Sequence, residues 1–139
     1  MGADHEHSIV VGFDGSKGAV AALEWAAKEA QLRGDRLCVV QAWTAGEFGT
    51  DEDIAAYTQG KAESEAAAVL DGYPGLEWEV VALRGSPAKV LVDHSAHADM
   101  LVVGSRGHGG FAGLLLGSVS HQVSAHAGTA AVVIVHSES

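Results

Sequence analysis

Between Asp99 and Glu138 the chain has no acidic residue, although it carries 18 acids against 8 bases over 139 residues, a formal net charge of −10. Every other stretch of comparable length is sprinkled with carboxylates. A strongly acidic chain that clears one segment of them keeps a place for an anion, and a buried strand, loop and Ala-rich helix with no use for acids would leave the same gap. The shortage of Lys and Arg argues against non-specific nucleic-acid or anionic-membrane binding, which needs basic patches. The lone cysteine, Cys38, cannot form an internal disulfide, so a reducing cytoplasm is expected. No apolar run approaches the roughly 20 residues of a membrane span. The N-terminal residues Met1 to His7 lack the basic and apolar regions of a signal peptide and are expected to form a mobile tail.

The common chemical signatures are missing as well. A Walker loop needs G-x4-G-K-[ST], and Gly15-Ser16-Lys17 has the wrong order. Gly107-x-Gly109-x-x-Ala112 imitates a dinucleotide fingerprint, but the acid required about 20 residues later is absent. There is no G-x-S-x-G elbow and no Cys/His cluster with zinc spacing. His94 and His97 have helical spacing without a nameable third ligand, His108 sits among glycines, and structural or solvated roles suit these histidines better. Cys38 reads as a small buried hydrophobe.

What is present is an alternation of apolar runs and helical stripes. Aromatics are only 6% of a 47% hydrophobic chain rich in Gly and Ala, which suits close helix–sheet packing in one domain spanning 1–139. Strands are expected at Ser8–Phe13, Leu37–Trp43, Leu76–Leu83, Met100–Val103 and Ala130–His136. The first helix starts at Asp14-Gly15-Ser16 and stops at Gly34, and the second runs from Asp51 to about Leu70. The third follows Ser86-Pro87, with a stripe reaching Ala98, and the last covers Ser118 to Ala127. This βαβαβαβαβ alternation calls for an open parallel α/β sheet with helices on both faces.

The most specific pattern follows the fourth strand. Gly104-Ser105-Arg106-Gly107 and Leu116-Gly117-Ser118 give G-x2-G-x9-G-S, a glycine-rich passage from a strand to a helix N-terminus whose backbone N–H groups can cradle phosphate. Together with Ile9-Val10-Val11-Gly12-Phe13-Asp14-Gly15-Ser16, Gly85-Ser86-Pro87-Ala88 and the closing Val132-Val133-Ile134-Val135, the chain resembles the universal stress protein family over essentially its whole length. The complete glycine pattern is the one found in ATP-binding members. The resemblance implies five strands in the order 3-2-1-4-5, a Rossmann-like nucleotide site between strands one and four, and ATP with Mg2+ as ligands.

Site residues carry over by position. The resemblance puts Gly12, Phe13 and Ala42 around the adenine, Ala42 through its backbone, and Asp14 on the ribose hydroxyls near the phosphates and metal. A carboxylate can accept two hydrogen bonds from a ribose diol, and Asp14 also suits a helix cap or turn. Gly104 and Gly107 would approach the ribose and α-phosphate. Gly117, Ser118 and Val119 would offer N–H groups to the phosphate chain, and Val103 and Ser120 complete the contacting set. Arg106 is either a phosphate ligand or an exposed loop arginine, and Trp43 reads as packing. No general base is tied to the site by motif, so the expectation is a nucleotide-dependent stress regulator with at most slow ATP hydrolysis or autophosphorylation. Binding of AMP or cyclic AMP, or a nucleotide-free domain that binds a protein partner, are the alternatives. The unblunted apolar run at 131–136, an edge in the order 3-2-1-4-5, predicts a homodimer paired through that strand.

Overall fold

The computed structural model describes residues 7–46, 49–105 and 131–136. Its elements are β1 (Ser8–Gly12), α1 (Lys17–Arg33), β2 (Arg36–Trp43), α2 (Asp51–Leu70), β3 (Trp78–Arg84), α3 (Pro87–His94), β4 (Met100–Gly104) and β5 (Ala131–Val135). All pairings are parallel, in the order β3-β2-β1-β4-β5. The sheet order and class expected from the sequence are therefore the observed ones.

Period-two alternation decides which residues meet which helices. Ile9, Val11, Leu37, Val39, Val80, Met100 and Val102 point to one face, where they are buried with Ala22, Leu23, Ala26 and Ala30 of α1 and Ala62, Ala66 and Leu70 of α2. Val10, Cys38, Val40, Leu101 and Val103 point to the other face, against Val90, Leu91 and Val92 of α3. Burying a side chain such as Leu23 or Leu91 contributes about 1.5–3 kcal/mol. The alanines of α1 let that helix lie close on the sheet. The same close approach on the α3 face explains Gly12, since a Cβ there would lie 2.7 Å from Leu91 Cδ1.

Local signals fix the ends of the elements. Ser16 caps α1 by accepting the Ala19 N–H, and Gly34 ends it in the left-handed conformation. Thr50 and Asp53 close a reciprocal capping box on α2. Halfway along α2, Gln59 reaches the outer edge of β3. Its Nε2 donates to the Val80 carbonyl at 2.7 Å and its Oε1 accepts the Ala82 N–H at 2.8 Å. A side-chain amide thus stands in for a neighbouring strand and blunts that edge.

Several strand ends move by a residue, and three larger departures from expectation have visible causes. The third strand starts at Trp78, because the Leu76 N–H is used in a turn to the Tyr73 carbonyl. The third helix ends at His94 instead of continuing to Ala98: Ser95 still donates its N–H to Leu91, and the Ala98 N–H then closes a tight turn onto the Ser95 carbonyl. His7, assigned to a mobile tail, is held by its carbonyl, which accepts the Arg36 N–H at 3.0 Å. The remainder of that tail and the helix expected at Ser118–Ala127 lie outside the described residues.

Candidate nucleotide-binding site

In a parallel sheet every strand ends at the same edge. After β1 the chain moves through α1 to β2 and then β3 on one side. It returns through α3 to β4 on the other side of β1. The C-terminal ends of β1 and β4 therefore border a topological switch point, the place where open α/β sheets hold ligands. Gly12 is paired with Val40, and Val11 with Val102, which brings Gly12, Ala42, Val103 and Gly104 to one edge. Val103 Cγ1 lies 3.4 Å from where a Gly12 Cβ would stand.

Asp14 sits half-buried at this mouth. Its Oδ1 accepts the Ser16 N–H at 3.0 Å, so the carboxylate organises the turn into α1. Phe13 is different. Its ring is 2% exposed within the core under α1, and its N–H is committed to the Val40 carbonyl at 2.9 Å. Any ligand contact of Phe13 must use the remaining backbone. Ala42 packs its methyl against the α3-side core. Val103 is buried there as well, which leaves its backbone as the part that can face the mouth.

The electrostatic setting suits an anion. The first turn of α2 carries Asp51, Glu52 and Asp53, whereas the first turns of α1 and α3 carry no acid. Helix N-termini bear partial positive charge, and at this edge α3 keeps its own unopposed by any acid in its first turn, while Asp14 stands at the entry to α1. Arg106, Gly107, Gly117, Ser118, Val119 and Ser120, the phosphate-binding part of the expected set, lie outside the described residues.

Polar groups that motif reading missed also gather on the α2 side of this edge. Gly15 has φ +81°, a conformation that favours glycine, and the Glu65 carboxylate lies 3.0 Å from the position of its absent Cβ. Glu65 Oε2 pairs with Lys61 Nζ at 2.9 Å, while its Oε1 is buried without a hydrogen-bond partner among the described residues. Gln41 Oε1 and Trp43 Nε1, at the end of β2 on that face, are likewise buried and have no partner among the described residues. The Arg84 guanidinium stands 6.0 Å from the Trp43 ring centroid. Orphaned buried polar atoms are rare enough to mark positions where further partners fit. No local pattern in the sequence announces Glu65, because Lys61 and Glu65 look like an ordinary solvent-facing i,i+4 pair.

Two concavities among the described residues lie elsewhere. One, of about 340 Å³, is lined by Gly34, Asp35, Pro74 and Glu77 at the opposite end of the sheet. The other, about 330 Å³, lies on the α3 side beside Cys38, Glu79, His94 and His97. Cys38 Sγ is 3.4 Å from His94 Nε2, but burial, reinforced by the charge of Glu79, pushes the thiol up to about 12. It stays protonated at neutral pH, which removes a thiolate nucleophile from that cavity. Neither concavity lies at the switch point, and the chain that follows Ser105 is outside the described residues.

Comparison with known proteins agrees with this architecture. Residues 6–136 match the universal stress protein family. The chain is 37% identical over 136 residues to universal stress protein Rv2623 of Mycobacterium tuberculosis, covering 90% of this chain and 44% of that protein. It is 39% identical over 140 residues to Rv2005c of the same organism, covering 94% and 46%. The chain thus spans less than half the length of these relatives. Among solved structures, a universal stress protein in complex with cAMP superposes with a TM-score of 0.63 at 30% identity, covering 94% of this chain and 96% of that one. The universal stress protein of Archaeoglobus fulgidus in complex with dAMP gives 0.60 at 29%, covering 93% and 97%. The family match over nearly the whole chain, together with the sheet order and the switch-point geometry, establishes that this protein belongs to the universal stress protein family.

Proposed function

We propose that the protein binds ATP with Mg2+ at the C-terminal ends of β1 and β4 and acts in the cytoplasm as a nucleotide-dependent regulator of a stress response, through a protein partner. The observation that carries this reading is the meeting of Gly12, Asp14, Ala42 and Gly104 at the switch point, where Gly104 also opens the G-x2-G-x9-G-S passage. Adenine nucleotides bound by two relatives near 30% identity support the base and ribose half of the site. The complete glycine pattern favours a full phosphate chain over a monophosphate.

The donor set at the mouth fits magnesium. The half-buried carboxylate of Asp14, together with phosphate oxygens, is the oxygen-only, partly hydrated arrangement Mg2+ prefers. Mg2+ would neutralise phosphate charge. Asp14 would hold it or the ribose hydroxyls, and the N-terminus of α1 would add its dipole. Turnover far below the ~1–10³ s⁻¹ of ordinary enzymes is expected.

Assembly follows from the other sheet edge. β5 pairs with β4 and ends the sheet, with Ala131 exposed and Val132 to Val135 only half-buried. Pairing with a second copy would close that edge. Light scattering at tens of micromolar should give twice the monomer mass, and a monomeric result rejects the dimer.

The functional test is calorimetry of the purified protein with Mg-ATP, AMP and cyclic AMP. Mg-ATP should bind, Gly117→Val should abolish binding with the circular dichroism unchanged, and Asp14→Ala should weaken it by ~1.5–3 kcal/mol, the scale of hydrogen bonds to a charged group. Equal ATP affinity in wild type and Gly117→Val rejects the site. Binding of only AMP or cyclic AMP rejects ATP as ligand and keeps the cleft.

A further inference from the structure

At the opposite edge of the sheet, the residues that immediately precede β1, β2 and β4 come together. They are His7, Asp35 and Asp99, and one ligating atom from each lies within 4.8 Å of the others. His7 Nδ1 is 4.0 Å from Asp99 Oδ2. Parallel register is the cause. Ser8 is paired with Arg36 and Ile9 with Met100, so His7 falls level with Asp35, and Asp99 stands on the other side of β1 one step along, level with Ser8. Their backbones are fixed: the His7 carbonyl accepts from Arg36, the Asp35 N–H donates to Ala30 at the end of α1, and the Asp99 N–H donates to Ser8.

Asp35 separates this cluster from an ordinary group of surface acids. It is only 8% exposed, and its Oδ2 is fully buried with no hydrogen-bond partner among the described residues. Neither neighbouring arginine is paired with it. Arg33 donates to Glu29 at 2.7 Å, and Arg36 is paired at 3.7 Å with both Glu77 and Glu79. Burying a carboxylate without a partner is costly, and the usual remedies are a counter-charge, a metal or a proton. Asp35 also directly follows Gly34, the C-cap of α1, where the helix end adds partial negative charge and a cation is favoured.

We propose that His7, Asp35 and Asp99 form a binding site for a borderline divalent transition metal, with Zn2+ as the best match. One imidazole and two carboxylates are a mixed N/O set that suits zinc better than magnesium or calcium, which take oxygen. Bonds of about 2.0–2.2 Å in a tetrahedral arrangement require ligand atoms roughly 3.4 Å apart. The 4.0 Å gap closes with a small swing of the His7 ring, whose side chain is 72% exposed. Three protein ligands leave a fourth position for water. The site is independent of the nucleotide reading and shares no residue with it. A proton shared between Asp35 and Asp99 is the competing remedy, and burial with the Asp99 carboxyl alongside pushes Asp35 up to about 6.

The test is titration of the purified, chelator-treated protein at pH 7.5 with Zn2+ by calorimetry and with Co2+ by visible absorption. One equivalent per chain is expected, with a tetrahedral Co2+ spectrum. His7→Ala, at an exposed side chain, and Asp35→Asn should each weaken Zn2+ at least 10-fold, whereas His94→Ala should leave it unchanged. If Asp35→Asn fails to fold, His7→Ala and Asp99→Asn carry the same test. No Zn2+ uptake, which would mean the shared proton is the whole answer, overturns the proposal. Uptake that survives both ligand substitutions, or is lost in His94→Ala, overturns it equally.

Discussion

Replacing Asp35 by Asn should stabilise the metal-free protein at neutral pH, although it alters a buried residue. The carboxyl is raised from 3.8 to about 6, first by burial and then by its contact with Asp99. The native state therefore holds this proton more tightly than the unfolded chain does. As pH rises from about 4 to 6 the unfolded chain releases the proton while the native state keeps it, so stability falls through that window and is level above it. A shift of about two units at ~1.4 kcal/mol each, shared with the Asp99 carboxyl it is coupled to, puts the loss at up to about 3 kcal/mol. Asparagine keeps the shape, has no such slope, and can donate its amide to Asp99. Desolvating that amide costs about 1 kcal/mol or somewhat more. The net expectation is a variant about 1–2 kcal/mol more stable than wild type at pH 7.5 and level with it or slightly weaker near pH 4. Urea unfolding in EDTA at pH 4.5, 6 and 7.5 reads this directly, since m-values of ~1–3 kcal/mol per molar place the shift near 1 M in midpoint. A variant weaker than wild type by the same amount at every pH would show that Asp35 is not ionised at a cost, and the reasoning would fail. Saturating Zn2+ at pH 7.5 should move the ranking back toward wild type by ~1.4 kcal/mol or more, the energy equivalent of a tenfold or greater difference in Zn2+ affinity.

Gly12→Ala should cost ~1–3 kcal/mol by forcing Leu91 off its seat, and combining it with Leu91→Ala should be markedly less than additive in a double-mutant cycle of chemical melts. Additive costs would mean that α3 gives way without strain. Gln59→Glu keeps the acceptor for Ala82 but turns an oxygen toward the Val80 carbonyl, so it should lose ~1–3 kcal/mol, more above the carboxyl's own titration than below it. Thermal melts at pH 4 and 7.5 that coincide with wild type would place the β3 edge under some other cover.

How much of this was legible depends on whether the signal is contiguous in the chain. The strand alternation around Val10 and Val39, the Ser16 cap and the Gly34 stop are written within a few residues each, and they suffice for the sheet order once the family pattern is added. The mouth residues Gly12, Asp14 and Gly104 were also readable, since each stands at the end of an apolar run. The same run does not reveal that the Phe13 ring continues the inward face past the strand end. Glu65 and Gln59 escaped for a related reason. On a helical wheel they are polar residues of α2, and only the packing of α2 on α1 and β3 turns one toward Gly15 and the other onto a strand edge. His7, Asp35 and Asp99 are far apart in sequence, and nothing but parallel register unites them.

The two ends of the sheet invite opposite charges for one reason. Helices that connect parallel strands run antiparallel to them, so their N-termini gather where the strands finish and their C-termini where the strands begin. Phosphate suits the first edge and a cation the second. Between them lies β1, whose five residues span about 17 Å at ~3.3 Å each. That distance is about twice the screening length of ~8 Å at physiological ionic strength, so direct electrostatic coupling through solvent is small. The strand itself is buried and paired on both sides, so displacing it would break both ladders at once. Zn2+ at His7, Asp35 and Asp99 should therefore change the affinity for Mg-ATP less than twofold. By reciprocity, Mg-ATP should alter Zn2+ affinity by the same small factor. Paired calorimetric titrations, each ligand measured with and without the other at 150 mM salt, provide the check. A coupling of tenfold or more would mean that β1 or β4 shifts between two registers, and the rigid-sheet argument would have to be abandoned.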